Sequence, residues 1–143
     1  MATNIRGRGL SGLLKYTKEK IGEEGLKKIL DKLPEKDRAI FQEKIRPTEW
    51  HPFKIHVNLL TIIDKELGKG DLKVCRDIGR WSAERDFKAV YKLYKSNSFK
   101  NPVTLKTAPG VMWRGYYDQG NMVLPEASAS MNPSEVKILI VDF

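Results

Sequence analysis

The feature that most constrains this sequence is the separation of its positive charge from its strand-like segments. Residues 1 to 100 contain 23 Lys and Arg against 14 Asp and Glu, whereas residues 101 to 143 contain 3 against 4. Apolar residues recur every three or four positions in the basic part, as in amphipathic helices, and form short runs in the near-neutral part, as in strands. The separation predicts one α+β domain, 1–143, in which a helical bundle, 1–100, packs on a small antiparallel β-meander, 101–143.

Glycine, proline and charged residues divide the basic part into about five predicted helices. They run from Leu10 to Gly22, from Glu23 to Pro34, from Glu35 to Ile45, from Pro52 to Gly68 and from Asp71 to about Tyr94. The fourth is apolar around most of its surface, so it should be the central helix. The segment Arg46–Pro52 contains two prolines and is expected to form a fixed elbow between helices.

The β part is predicted to contain three strands joined by turns. They are Val111–Tyr117, Met122–Ser130 and Val136–Phe143, with a hairpin turn signal at Asp118–Asn121. Alternation along the first strand would place Trp113 and Tyr117 on one face and Arg114 and Tyr116 on the other. The last strand ends without a turn or polar tail, so either its edge is covered by the fold or a second subunit, or the chain belongs to a longer one.

Charge and cysteine content limit the partners and the compartment. The net charge of +8 and the pI near 9.6 permit binding to nucleic acid or an anionic surface. However, lysines between Lys15 and Lys44 alternate with acids as on solvated helix faces, and no aromatic RNA-binding signature is present. The single cysteine, Cys75, is predicted to be a buried and unreactive side chain. Without a secretory signal or a long apolar run, a cytoplasmic location is expected.

No catalytic or metal-binding pattern is present in the sequence. His51 and His56 are five residues apart, whereas a helical zinc pair needs a spacing of three or four, so His56 is interpreted as a surface or boundary residue. No serine lies in a nucleophile elbow, and Gly7, Gly9 and Gly12 lack the lysine and serine of a phosphate loop. We therefore predict a non-enzymatic protein without a metal or other cofactor.

Aromatic residues lie at the elbow, along the longest helix and on the first strand, and two interpretations remain open. They form a mixed core, or they line a pocket for a flat or apolar ligand with an arginine available to an acidic group. Gly79 within the long helix is predicted to allow close approach of another backbone or a bulky ring. The candidate ligand-binding residues are Arg80, Trp81, Arg85, Tyr91, Trp113, Arg114, Tyr116 and Tyr117.

The order of several motifs resembles a known family. The segments are Gly9-Leu10 through Gly22, Gly25-Leu26 to Leu33, Pro47–Pro52, Leu67–Asp71, Ile78–Arg80, Tyr91 and Trp113–Gly120. They resemble a bacterial domain family of unknown function related to the heme-NO-binding and 4-vinyl-reductase ligand-binding domains. The resemblance implies a helical bundle on a small antiparallel sheet that binds a small molecule or partner in signalling and often dimerises. The heme branch carries a Tyr-x-Ser-x-Arg motif that Tyr91–Lys95 does not supply, so no heme is expected.

The sequence thus predicts a cytoplasmic, non-enzymatic sensor or interaction module that binds a small molecule or a protein partner in signalling. It is expected to self-associate as a homodimer. The alternative is a nucleic-acid or anionic-surface binding protein that uses the basic helical face.

Overall fold

A computed structural model describes residues 3–94, 110, 113–123 and 139–141, and these residues form an α+β arrangement. The elements are β1 (Asn4–Arg6), α1 (Gly7–Asp31), α2 (Glu35–Arg38), a 3₁₀ turn (Ala39–Phe41), β2 (Trp50–Pro52), α3 (Phe53–Leu67), α4 (Lys73–Tyr94), β3 (Asn121–Val123) and β4 (Leu139–Val141). The predicted α+β class is confirmed. The described residues contain four helices and not about five.

The difference in helix number arises in α1, which spans the first two predicted helices. Gly22 has φ 73° and ψ −177°, which is not a helical conformation, so α1 consists of two helical stretches that meet at a kink there. Positive φ is accessible to glycine at little cost, which explains why the chain bends at this residue. The predicted break at Gly22 is therefore correct as a change of direction, and the third predicted helix shrinks to α2 and the 3₁₀ turn.

The ends of α3 and α4 agree with their sequence signals. The Gly68 amide closes α3 by donating to the Asp64 carbonyl at 3.0 Å. The Asp71 carboxylate accepts the Lys73 amide at 3.1 Å and so satisfies a free donor at the start of α4. Pro52 is the last residue of β2, so α3 begins at Phe53, one residue later than predicted.

Two hydrophobic clusters hold the helices together. The larger lies between α1, α3 and α4 and contains the fully buried Leu59 and Ile63, which confirms that α3 is central. The smaller contains Ile5, Leu10 and Ile55 where β1 meets α1 and α3. Phe41 packs against both clusters and joins them.

The predicted elbow instead contains a strand that the sequence did not reveal. β2 pairs antiparallel with β1, with Ile5 opposite His51. The pairing continues beyond the strands, since the Phe53 amide donates to the Thr3 carbonyl at 2.9 Å and the Gly7 amide to the Glu49 carbonyl at 2.8 Å. This short sheet anchors the start of α1 to the start of α3. Pro47 lies before β2, and Pro52 is its last residue.

The predicted first strand of the meander is wrong where the structure describes it. Trp113 and Arg114 are helical, and the Tyr116 and Tyr117 amides both donate to the Trp113 carbonyl, at 2.9 and 3.0 Å. Tyr117 makes only a single bridge, to Ile5 in β1. The expected alternation of faces therefore fails, because a helical turn brings these side chains together. We call this segment the Trp113–Tyr117 turn.

The second and third predicted strands are present in part. β3 and β4 pair antiparallel, with Met122 opposite Ile140. The remainder of the two predicted strands lies outside the described residues, so the complete meander stays a prediction. Among the described residues, no helix is both long enough and apolar enough to cross a bilayer.

Asp118 ties the end of the Trp113–Tyr117 turn to β1. Its carboxylate accepts the Thr3 amide at 3.1 Å and hydroxyl at 2.6 Å, and the Asn4 backbone and side-chain amides at 3.0 and 2.7 Å. Burial raises the pKa of Asp118, but these hydrogen bonds outweigh it and lower the pKa to about 2. Asp118, which was predicted to lie in a hairpin turn, therefore ties the Trp113–Tyr117 turn to β1. We call this set of four hydrogen bonds the clamp.

Candidate functional site

A cavity of about 400 Å³ that is partly open to solvent lies between α1, α3, α4 and the Trp113–Tyr117 turn. We call it the interhelical cavity. Its apolar lining comes from the helices, β1 and the turn, through Ile5, Leu13, Leu60, Ile78, Ala83 and Trp113. Its volume falls in the range of about 300–1,000 Å³ that is typical of small-molecule sites.

Gly79 of α4, which has no side chain, forms part of the cavity wall. Gly79 lines the cavity, and a Cβ atom built there would meet no described residue outside its own helix within 4 Å. The predicted close approach of a backbone or a ring to Gly79 is therefore not made by any of the described residues. The glycine instead leaves α4 open toward the interhelical cavity.

Aromatic rings of the Trp113–Tyr117 turn form another part of the cavity wall. Trp113 is 6% exposed, and its ring centroid lies 4.3 Å from that of Tyr117. Phe53 meets Tyr117 edge-on at 5.8 Å and stacks on His56 at 5.7 Å. The Trp113 indole nitrogen donates to the Gln119 carbonyl at 2.8 Å. These contacts fix the ring faces, so the wall is largely preformed.

His56 is the polar group whose environment is most unusual. The side chain lines the interhelical cavity, and its Nδ1 is fully enclosed without a hydrogen-bond partner among the described residues. Burial lowers the pKa of His56 to about 4, because the charged imidazolium loses hydration. His56 is therefore neutral near pH 7, and its Nδ1 is buried within the protein and not presented to the cavity.

Tyr116 and Asp86 join the Trp113–Tyr117 turn to α4 at the cavity. The Tyr116 hydroxyl donates to the Asp86 carboxylate, and the Arg8 guanidinium lies 5.0 Å from the Tyr116 ring centroid. Burial and the Asp86 carboxylate raise the pKa of Tyr116 to about 12. The phenol is therefore protonated near pH 7, and its hydrogen bond holds the turn against the helix.

Cys75 also lines the cavity and is a thiol near pH 7. Burial raises its pKa, and the Asp64 carboxylate raises it further. Asp64 is itself buried and accepts the Leu72 amide at 3.1 Å. A thiol with a raised pKa is a poor nucleophile, so Cys75 agrees with the predicted low reactivity, but it is half-buried and not buried as predicted.

The structure separates the predicted site residues into several groups. Trp113, Tyr116 and Tyr117 line the interhelical cavity. Arg80 is exposed on α4, and the side chain of Tyr91 lies outside the described residues. No arginine or lysine is among the described residues that line the cavity, so the predicted arginine partner for an acidic group is not part of this lining.

Trp81 and Arg85 belong to a different contact. The Trp81 ring meets Tyr16 edge-on at 5.7 Å, and its nitrogen donates to Glu19 at 2.9 Å. The Arg85 guanidinium lies 4.6 Å from the Trp81 ring centroid. These contacts join α1 to α4, and this part of the aromatic set follows the mixed-core interpretation.

Arg114 lies at a second, shallow depression on the surface. The depression is about 380 Å³ and is lined by Asn4, Trp50, Arg114, Tyr117 and Asp118. Trp50 is 43% exposed, and the Arg6 guanidinium lies 3.9 Å from its ring centroid. The depression is thus an exposed ring surface with basic side chains beside it.

The cavity lining includes residues that sequence reasoning did not name as site residues, among them His56, Cys75, Gly79, Ser82 and Asp86. One sequence signal could have identified His56. It is a polar residue on a helix that is apolar around most of its surface, and it shares a helix face with Leu60, four residues later, which also lines the cavity. In the described part of the chain, no three His, Cys, Asp or Glu side chains are grouped to hold a metal ion.

Comparison of the chain with protein-family models, curated proteins and solved structures found no match. The function is therefore argued from the geometry of the site.

Proposed function

We propose that the chain is a binding module that takes up a small molecule in the interhelical cavity and acts by binding and not by catalysis. The observation that carries this proposal is an apolar cavity of about 400 Å³ with a preformed aromatic wall and few polar groups. Sites with these properties are typical of small-molecule binding. Kinship with the ligand-binding domains named above belongs to the same proposal, as do the signalling role and the cytoplasmic location.

Filling the cavity from α4 tests the proposal. We expect Gly79→Leu to fold, since its Cβ meets no other atom and leucine is a better helix former than glycine. Its side chain would occupy the space that a ligand needs. The measurement is ¹H–¹⁵N NMR titration with small ring compounds such as indole, following the amides of residues 78–83 and 113–117.

The matched control is Gly12→Ala, which also removes a helical glycine but whose Cβ makes an ordinary 3.9 Å contact with Ser82. We expect the parent protein and Gly12→Ala to show saturable shifts and Gly79→Leu to show none. Equal titration of the parent and Gly79→Leu would exclude the interhelical cavity as the binding site. Native mass spectrometry of protein purified from cells is expected to show a retained small molecule.

Self-association is the second part of the proposal. Several large apolar side chains are exposed, namely Ile21, Trp50, Val57 and Leu72. Exposed apolar surface supports pairing of two copies. Size-exclusion chromatography with light scattering is expected to give twice the 16.4 kDa chain mass. A strict monomer at micromolar concentration would remove this part and leave the ligand proposal intact.

The surface depression supports nucleic-acid binding as the alternative function. The exposed ring of Trp50 could stack on a base, and the basic side chains Arg6 and Arg114 could contact phosphate. The net charge of +8 favours the same partner. Fluorescence anisotropy with mixed single-stranded oligonucleotides would then show affinity that falls steeply with salt and drops in Trp50→Ala. Absence of binding at low salt would reject this alternative.

A further inference from the structure

A group of charged side chains lies at the rim of the interhelical cavity. Tyr116 and Asp86 both line the cavity, and the Tyr116 hydroxyl donates to the Asp86 carboxylate. The Arg8 guanidinium lies 5.0 Å from the Tyr116 ring centroid, and Arg85 directly precedes Asp86 on α4. The described charged side chains that act on the Tyr116 phenol are Asp86, Arg8 and Arg85. Two positive charges thus stand against one negative charge, so the rim is positive.

Helical spacing explains why Arg8 and Asp86 lie at the same level of the fold. A Cβ atom built on Gly12 of α1 would lie 3.9 Å from the Ser82 hydroxyl of α4, so the two helices are close there. Arg8 comes four residues before Gly12, and Asp86 comes four residues after Ser82, about one helical turn away in each case. Tyr116 lies beside both Arg8 and Asp86, which places the two on the same side of that contact.

Arg8 is available to a ligand. It is exposed, and no ion pair joins it to an acid among the described residues. The first turn of α1 contains no acidic residue that would neutralise it. Arg85 is half-buried and lies over the Trp81 ring, 4.6 Å from the centroid, so it is already used in the contact between α1 and α4. Arg8 is therefore the principal cation at the rim.

An apolar molecule with one anionic group suits both the lining and the rim of the cavity. The lining is mainly apolar, and the cavity is partly open, so a head group at the rim keeps part of its hydration. The high cost of burying a charge completely is thereby avoided. A carboxylate can accept two parallel hydrogen bonds from a guanidinium, and such charge-assisted bonds are stronger than neutral ones. A cationic head group would instead meet the net positive charge of the rim.

We propose that the interhelical cavity binds an apolar molecule that carries one carboxylate, with the apolar body inside the cavity and the carboxylate paired with Arg8 at the rim. This inference rests on the proposed function and names the ligand class of the same site. The sequence predicted that Arg80, Arg85 or Arg114 would hold an acidic group, whereas Arg8 lies at the start of α1, outside the predicted site.

Three probes that share one body and differ in the head group test the inference. They are 3-phenylpropionate, 3-phenylpropanol and 3-phenylpropylamine, titrated near pH 7 into the full chain by ¹H–¹⁵N NMR. We expect the acid to bind about tenfold more tightly than the alcohol, as for a charge-assisted hydrogen bond, and the amine to bind more weakly than the alcohol. High salt should reduce the preference for the acid, because the rim is open to solvent. Equal binding of alcohol and acid, or tighter binding of the amine than of the acid, overturns the inference.

Variants at the rim assign the carboxylate to Arg8. Arg8→Gln removes the positive charge, so most of the preference for the acid over the alcohol should disappear. Asp86→Asn keeps an acceptor oxygen for Tyr116 but removes the negative charge, so the preference should increase. The matched control is Arg80→Gln, which removes an exposed arginine of α4 that does not act on Tyr116 and should leave the preference unchanged. A preference that persists in Arg8→Gln, or falls equally in Arg80→Gln, overturns the assignment.

The outcomes also separate this inference from the proposed function. If the acid and the alcohol bind equally and Gly79→Leu abolishes both, the cavity is a binding site but the ligand class is wrong. If the acid still binds to Gly79→Leu as it binds to the parent protein, the carboxylate site lies outside the cavity and the inference is overturned. If none of the three probes binds to the parent protein, the ligand class is rejected, and the titration with indole decides the proposed function independently.

Discussion

At the scale of single residues, the enclosed imidazole of His56 links the cavity to the stability of the protein. Its pKa is lowered from 6.5 to about 4 by burial, so the unfolded chain binds a proton in this interval that the folded chain does not. The stabilisation that comes from the neutral, buried His56 is therefore fully present above pH 6.5 and is lost as the pH falls toward 4. The shift corresponds to about 3 kcal/mol.

We predict that the free energy of unfolding, measured by urea denaturation, decreases between pH 7 and pH 4.5 in the parent protein. His56→Phe should show a smaller decrease, since it has no imidazole to protonate. Parallel profiles for the two proteins would contradict the burial of His56. Comparing slopes and not absolute stabilities removes the effect of the substitution on packing.

Asp118 is the second residue whose environment predicts a measurable effect. Four hydrogen bonds from Thr3 and Asn4 end on its carboxylate. Asp118→Ala should lower the thermal midpoint and increase hydrogen exchange of the amides in β1, and Asp118→Asn should do so less because it keeps one acceptor oxygen. Unchanged exchange in β1 of Asp118→Ala would show that the clamp is dispensable. Because the pKa is lowered to about 2, the clamp weakens only as the pH falls below 3.8 toward 2.

At the scale of elements, the kink in α1 depends on one backbone conformation. Gly22 has φ 73° and ψ −177°, and its Cβ position is empty to 4 Å, so any cost of a side chain there is conformational and not steric. We predict that Gly22→Ala destabilises the protein by about 1–3 kcal/mol. Gly12→Ala, in an ordinary helical position, should be neutral or stabilising by up to about 1 kcal/mol.

Denaturant unfolding of the two alanine variants checks this prediction. A neutral Gly22→Ala together with a straight α1, seen in NMR secondary shifts, would show that the kink is optional. A stability loss in Gly12→Ala that equals the loss in Gly22→Ala would remove the backbone explanation.

Several elements could be read from the sequence because their signals are local. Gly68 and Asp71 mark real helix ends, and Gly22 marks a real change of direction. β1 and β2 could not be read, because three-residue strands have too few positions for a pattern and they pair across more than forty residues. The Trp113–Tyr117 turn was misread as a strand since aromatic residues favour strands in general, whereas here tertiary contacts decide.

The candidate site divides in the same way. Trp113, Tyr116 and Tyr117 were predicted because clustered aromatic residues are visible in any sequence. The relation of His56 to Gly79 was not, because one lies on α3 and the other on α4 and only the packing of those helices places both at one cavity. Arg80 and Arg85 lie on α4 as predicted, but Arg80 is exposed and Arg85 lies over the Trp81 ring, which the helical period alone does not reveal.

At the scale of the whole molecule, Phe41 joins the two hydrophobic clusters and should make them unfold together. Trp81 packs against the larger cluster, and Trp113 contacts Tyr117, which packs against the smaller one. We predict that, in a variant retaining only Trp81 and in a variant retaining only Trp113, the fluorescence midpoint coincides with the midpoint by far-ultraviolet circular dichroism of the same variant. Ile55→Val in the smaller cluster should lower both midpoints equally, with a loss of about 1 kcal/mol.

A fluorescence midpoint that differs from the circular-dichroism midpoint of the same variant, or a shift by Ile55→Val in only one of the two variants, would show that the clusters are independent. The cavity lies where elements from both clusters meet, through Leu13 and Ile5. Independent clusters would thus also make its walls move relative to one another.

The bonds between Thr3, Asn4 and Asp118 span 114 and 115 positions of the chain. A ribosome adds about 5–20 residues per second, so the beginning of the polypeptide waits roughly ten seconds for the residue that fastens it. During synthesis the helices can assemble early, while the first strand must remain unfastened. The interhelical cavity is therefore among the last parts of the protein to form as each chain is synthesised and folds.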